Sequence, residues 1–217
     1  MATKPLSDFL PQVLPSVLHC PQLLARNAVL EAAIEFCERT WVDQYDVPAI
    51  SSIALTPSYV LAPRTNTEIV EVIDVRYDGK HIDPTSRAEL DLANPDIEWQ
   101  AETGEVKAYI VDPPYSTIRL VDAPADAITD GLKVRVALRP THTATAVEDL
   151  LYFKHLQAIA AGAKAILYGM PDKPWTRVAR QKEERDNFDT AVGTASVHRA
   201  KGFSRMPQRT TSYYDIG

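Results

Sequence analysis

Residues 21–41, PQLLARNAVLEAAIEFCERTW, limit what this chain can fold into, because they carry its first unambiguous apolar period. Leu23, Leu30, Ile34, Cys37 and Trp41 recur at helical spacing, and Val29, Ala33 and Phe36 widen the stripe. Glu31, Glu35 and Glu38 share another face, with Arg39 four residues after Glu35. Pro21 suits the first helical position, where its missing N–H costs nothing. About twenty-one residues make roughly 30 Å of helix, too much apolar surface to stand unpaired. The residues beyond Trp41 read as strand, so the partners of this helix must come from the far end of the chain. The architecture predicted is α+β: a helical bundle formed by both termini with an inserted antiparallel β-sandwich or barrel domain. Residues 1–44 and 141–200 form the bundle, 45–140 the β insert, and 201–217 an extended C-terminal arm.

Within the insert, residues 46–64 hold short apolar runs cut by Pro48, Pro57 and Pro63. Residues 67–77 are rich in β-branched side chains and end at the turn Asp78-Gly79-Lys80. Ala88, Leu90 and Leu92 alternate with Arg87, Glu89 and Asp91, and Ile97 and Trp99 follow. A turn at 102–105 leads into Val106, Ala108 and Ile110, and Ile118 and Leu120 lie beyond the Asp112-Pro113-Pro114 break. The clearest strand is the last, where Leu132, Val134, Val136 and Leu138 alternate with Lys133, Arg135, Ala137 and Arg139. About seven short strands at roughly ten-residue spacing make a sandwich or barrel.

Outside the insert, Pro5, Pro11, Pro15 and Pro21 forbid a long helix in the first twenty residues. That stretch is an apolar arm, expected to lie on a surface of its own subunit or of another. Residues 141–145 (THTAT) supply a polar cap, with Glu148 and Asp149 in the first turn of a helix running to Tyr168. Tyr152, Leu156, Ile159, Ala163, Ile166 and Met170 form a heptad-like seam. Ala158, Ala161, Gly162 and Ala165 line an adjacent face that a second backbone can approach closely, and Gly169 and Pro171 end the helix. Asp172 is expected to cap a third helix, from Trp175 to about Ala200, with a weak stripe (Trp175, Val178, Phe188, Val192, Ala195) and a polar middle, RQKEERDN. The tail after it sets Arg199, Lys201, Arg205 and Arg209 against the single acid Asp215, with Phe203, Tyr213 and Tyr214 interleaved. It has no period of its own and reads as a frayed end or as an arm that orders on a partner.

Charge and chemistry narrow the function. Residues 42–140 hold 17 Asp and Glu against 9 Lys and Arg, while the whole chain has a net charge of −6. An acidic middle does not grip a phosphate backbone; it suits a surface that must not stick to DNA, and more simply a β domain kept soluble by charge. Cys20 and Cys37 sit at opposite ends of the first long helix, roughly 25 Å apart, too far to bridge, which fits a reducing compartment. Cys20, near a helix N-terminus, has the setting of a lowered pKa, yet no histidine stands by to act as base, so a packing role is favoured. The five histidines show no ligand spacing, and the aspartates fall in turns, so no metal site is expected. No nucleophile elbow, zincin or phosphate-loop motif occurs, and no bilayer-length apolar run. Neither a catalytic residue nor a cofactor site is expected, and the chain reads as a non-enzyme.

Four stretches together carry a resemblance: LPQVLPSVLHCPQLLARNAVLEAAIEFCERTW, DPPYSTIRLVDAP, AIAAGAKAILYGMPDKPW and GFSRMPQRTTSYY. They are similar to head–tail connector (adaptor) proteins of tailed bacteriophages, of the tail tubular protein A type, and the similarity spans essentially the whole chain. The resemblance implies a structural subunit of the virion neck, assembled in the host cytoplasm. It implies a ring, usually of twelve copies, that joins the portal protein to the tail tube, nozzle or other tail protein. DNA would pass through the lumen without sequence-specific binding, and no membrane is involved. The C-terminal arm would dock into the portal, with Phe203, Arg205, Arg209, Tyr213 and Tyr214 as anchors. Two other readings stay open: a tail terminator or neck protein that does not touch the portal, and a β-sandwich ligand-binding module.

Overall fold

A computed structural model describes residues 2–93, 99 and 102–202. The chain begins with β1 (Thr3–Pro5), α1 (Leu10–Val13) and α2 (Gln22–Thr40). It continues through β2 (Gln44–Asp46), β3 (Ser58–Val60), β4 (Thr67–Tyr77), β5 (Lys80–His81), β6 (Asp83–Pro84) and α3 (Arg87–Ala93). After these come β7 (Thr103–Gly104), β8 (Ala108–Val111), β9 (Thr117–Val121), β10 (Ala123–Pro124), β11 (Leu132–Pro140) and β12 (Ala146–Glu148). Two long helices, α4 (Asp149–Tyr168) and α5 (Val178–Ala200), complete the described chain. The fold is mixed α+β with antiparallel sheets.

Helix α2 is alanine-rich and buried on most of its circumference: Ala25, Ala28, Ala32 and Ala33 join Val29, Leu30, Ile34, Phe36 and Cys37 in the core. Leu23, placed on the apolar stripe by spacing, is instead exposed, whereas Ala25 in the same turn is buried, so the first turn presents a different side to the core. Pro21 is the residue flanking the helix, in extended conformation, rather than its first helical residue. Trp41 ends it in the left-handed region (φ 52°), its N–H bonded to the Cys37 carbonyl at 2.8 Å. The Arg199 guanidinium lies 4.8 Å from its ring centre.

The proline-broken N-terminus is not left for a neighbour. Two 3₁₀ turns flank α1, and Leu6, Phe9, Leu10, Val13 and Val17 are buried in the same cluster as α2 and α4. β1 pairs antiparallel with β12, and the Tyr168 hydroxyl donates to the Ser16 carbonyl at 3.0 Å. This pairing corrects the start of α4. Residues 146–148 are strand, so Glu148 precedes the helix instead of lying in its first turn. Farther along, α4 crosses α5 and α2 at Gly162, where a Cβ would stand 2.7 Å from the Phe188 ring and 3.0 Å from the Ala32 methyl. The small-residue face therefore marks a close crossing. Asp172 lies in a turn with φ 55°, and α5 starts only at Val178, which is exposed; Trp175 is buried ahead of it.

Two four-stranded sheets make up most of the β region, ordered β2-β11-β4-β5 and β3-β9-β8-β6. Their side chains meet in one core, in which Leu132, Val134, Val136 and Leu138 of β11 are all buried, as the alternation requires. The partner strand β4 buries Ile69, Val72 and Val75, every third residue. Two register shifts against β11 account for that spacing, since each extra residue resets the alternation. Only two short contacts are parallel among the described strands, β6 with β8 and β7 with β10. Residues 87–93, whose alternation reads as strand, form helix α3. Ser86 accepts a hydrogen bond from the Glu89 N–H at 3.1 Å, so a Ser-x-x-Glu start overrides the alternation. Trp99 is buried with Ile110 and Val121, its indole N–H donating to Asp91 at 2.8 Å.

Candidate functional site: a groove between two helices and a charged seam

On α5, Asn187, Thr190, Ala191, Thr194, Ala195 and His198 recur at helical spacing with short side chains. They form one wall of a groove of about 880 Å³, whose other wall is the first half of α4, residues 152–158. α4 departs from helical geometry at His155 (φ −125°, ψ 15°), inside this wall. Phe153 stands two-thirds exposed at the groove, packed edge-on against Tyr152 at 5.5 Å, and Tyr152 in turn against buried Phe9 at 5.4 Å. The Lys4 ammonium sits 5.4 and 5.3 Å from the Tyr152 and Phe153 ring centres. Burial lowers the His155 pKa, and the charges of Lys154 and His198 lower it further, so the imidazole is neutral at neutral pH. Its ring packs on Phe36 at 4.8 Å. Among the described residues the lining holds Lys154, His155 and His198 and no carboxylate. Such a surface is mostly apolar and neutral with Lys154 among its lining, which fits a protein segment better than a polar small molecule.

A second polar constellation lies where the helices meet the sheets. Arg64, from the loop after β3, pairs with Asp43 at the exit of α2 and with Glu148 at the end of β12. The three side chains are 16, 5 and 11% exposed. Burial raises the Asp43 carboxyl above its ordinary value, and the attraction and hydrogen bond of Arg64 do not fully offset it. Glu148 is raised in the same way, and Asp43 adds to the effect. Arg139 of β11 makes a second tie across this seam, to Glu38 of α2 and to Glu68 of β4 at 2.8 Å. The arrangement has the elements of acid–base chemistry, but each group is engaged in joining segments, and its form is that of a structural tie.

The remaining residues singled out by sequence fall elsewhere. Phe203, Arg205, Arg209, Tyr213 and Tyr214 lie outside the described residues. Cys20 and Cys37 are free and buried; burial raises both thiols, and for Cys20 this outweighs the hydrogen bond from the Ala25 amide, contrary to a lowered pKa. No group of three His, Cys, Asp or Glu able to hold a metal occurs among the described residues, and no described helix is long and apolar enough to cross a membrane. The groove escaped the sequence reading, although the short-side-chain stripe on α5 was its signal. The chain matches no family model and no curated protein.

Proposed function

We propose that this chain is a structural, non-enzymatic virion subunit: a head-to-tail adaptor that forms a ring, joins the portal to the tail and lets DNA pass through its lumen. One observation carries the reading. A single apolar cluster takes in residues 6–42 and 144–195, while the two four-stranded sheets are built from the sequence between them. This supports a helical body from residues 1–44 and 141–200, a β insert from 45–140 and an arm from 201–217. A body closed by both chain ends holds the arm and the insert as separate points of attachment. The arm, with Phe203, Arg205, Arg209, Tyr213 and Tyr214, is assigned to the portal, and the insert to the next tail component. The acidic insert favours passage of DNA over binding. A ligand-binding sandwich has less support, because the groove described above lies between helices and not between sheets. Deletion of residues 201–217 is the test. The truncated chain is expected to keep its circular dichroism and melting temperature and to lose co-sedimentation with portal rings. Undiminished attachment overturns the arm assignment.

A further inference from the structure

Helices α4 and α5 run antiparallel, since Gly162 of one meets Phe188 of the other and Lys164 meets Glu184. The groove between their other halves therefore ends, on the Phe153 side, against the last turns of α5, where His198 lines it. The chain leaves α5 at that same end. Gly202 adopts φ 61°, its N–H bonded to the Arg199 carbonyl at 2.8 Å. A left-handed glycine there stops the helix and turns the chain out of its axis. Fifteen residues lie beyond the described chain, 203–217, FSRMPQRTTSYYDIG. They include Phe203, Met206, Tyr213, Tyr214 and Ile216, and residues 210–214 carry no charge. Aromatic residues and Met are the types that the buried part of an interface favours, and the groove that leaves Phe153 uncovered is mostly apolar and neutral.

We infer that the α4/α5 groove receives this chain's own residues 203–217, Phe203 seating beside Phe153 and the Tyr213–Tyr214 pair farther along, over Ala191. Length permits it. From His198 back to Asn187 the groove wall spans about 17 Å, whereas fifteen residues reach up to ~50 Å when extended. Tethering decides whose tail enters. A short flexible linker holds its segment at an effective concentration on the order of millimolar. An intrinsic Kd of roughly 0.5 mM then leaves the groove about two-thirds filled, while the tail of a second copy at micromolar concentration barely competes. The groove thus withholds the tail without locking it, and a tighter partner for the same residues displaces it. The contact is argued from the groove and the chain's exit alone and does not depend on the portal assignment.

Trypsin reads the state of the tail, because Arg205 and Arg209 lie in it and cutting follows the undocked fraction when docking is fast. In the full-length chain, Phe153→Asp charges the groove at an exposed position, where circular dichroism is expected to remain that of the parent. It is expected to speed cutting at both arginines about threefold, as for a tail two-thirds docked in the parent. Tyr213→Ala combined with Tyr214→Ala removes the anchors, leaves the groove untouched and is expected to give a similar acceleration. Dilution of the parent is expected to change nothing. Threefold corresponds to about 0.6 kcal/mol, or roughly 2 °C in a chain of this size, so loss of the tail leaves the melting temperature close to the parent's. Unchanged cutting in either variant overturns the docking. Protection that fades on dilution also overturns it, giving the groove to the tail of another copy. Portal co-sedimentation is a separate readout, so this inference and the adaptor reading fail independently.

Discussion

Two seams run through this molecule, and they are closed by opposite means. Where α4 crosses α2 and α5, backbones come together over Gly162, Ala32 and the Phe188 ring, and most of the charges stay at the margin. One pair between α4 and α5, Lys164 and Glu184 at 2.6 Å, is largely enclosed, while Glu35, Arg39, Arg185 and Asp189 form a partly exposed network on the outer side. Where the helices meet the sheets, the charges themselves are inside: Arg64 is enclosed between Asp43 and Glu148. An apolar seam is held by fit and tolerates loss of its outer ions. A charged seam is held by pairing, and removing one partner leaves the rest buried without compensation. The difference teaches where each half is vulnerable.

The largest effect is expected from Arg64→Met. It leaves two carboxylates in a site already raising their pKa values, at a cost of about 3–5 kcal/mol, read from urea unfolding at neutral pH. The pH dependence checks the cause. Asp43 and Glu148 have folded pKa values above their ordinary ones, so each favours the folded state at acid pH and loses that contribution as pH rises through the carboxylate range. Without Arg64 both rise further. The variant is therefore expected to recover much of its loss on acidification toward the ordinary carboxylate pKa. A cost independent of pH would show that Arg64 acts through packing on Tyr45, whose ring centre lies 5.4 Å away.

The apolar seam is tested next. Phe188 is fully buried, so Phe188→Ala is expected to cost about 3–4 kcal/mol through the cavity it leaves. Gly162→Ala pushes a methyl into the same ring, for about 1–3 kcal/mol of overpacking. Combined, the two substitutions are expected to cost clearly less than the sum of their separate effects, because the smaller side chain makes room for the added methyl. Additive losses in denaturant melts would show that the helices do not close on this pair.

These seams also explain what could be read from the sequence. The crossing face was legible, because small residues at helical spacing announce close approach, and Ala161, Gly162 and Ala165 are all buried. Strand β11 was legible from its strict alternation. Strand β4 was legible from its β-branched content, but its buried set could not be read, since bulges change which residues point inward and leave no local mark. Helix α3 was misread because Ala88, Leu90 and Leu92 alternate, although Ser86 and Glu89 already spelled a helix start. The charged seam was invisible: Asp43, Arg64 and Glu148 lie far apart in sequence, and pairwise charge gives no periodic signal. The N-terminal arm was half legible, its apolar content plain and its own-chain destination not, because prolines obscure the short turns that bury Phe9 and Val13.

The smallest expected effect sharpens the contrast by its sign. Arg185 is 42% exposed and pairs with Glu35 across the outer side of the helix seam. Exposed pairs of this kind are worth under about 1 kcal/mol, so Arg185→Ala is expected to shift the unfolding midpoint only slightly. Burial pushes the Glu35 carboxyl up, but hydrogen bonds from Arg185 and Arg39 outweigh it and hold the group below its ordinary value. Its contribution is thus present above the ordinary carboxylate pKa and lost as pH falls through the depressed one, the reverse of Asp43. The Arg185→Ala cost is expected to fade on acidification because the wild type loses the pair, whereas the Arg64→Met cost fades because the variant is relieved. Stability curves of the two variants beside the parent separate these cases: only the first converges by a fall in the parent. Convergence by a rise in Arg185→Ala would place Glu35 among the buried ties and erase the distinction between the seams.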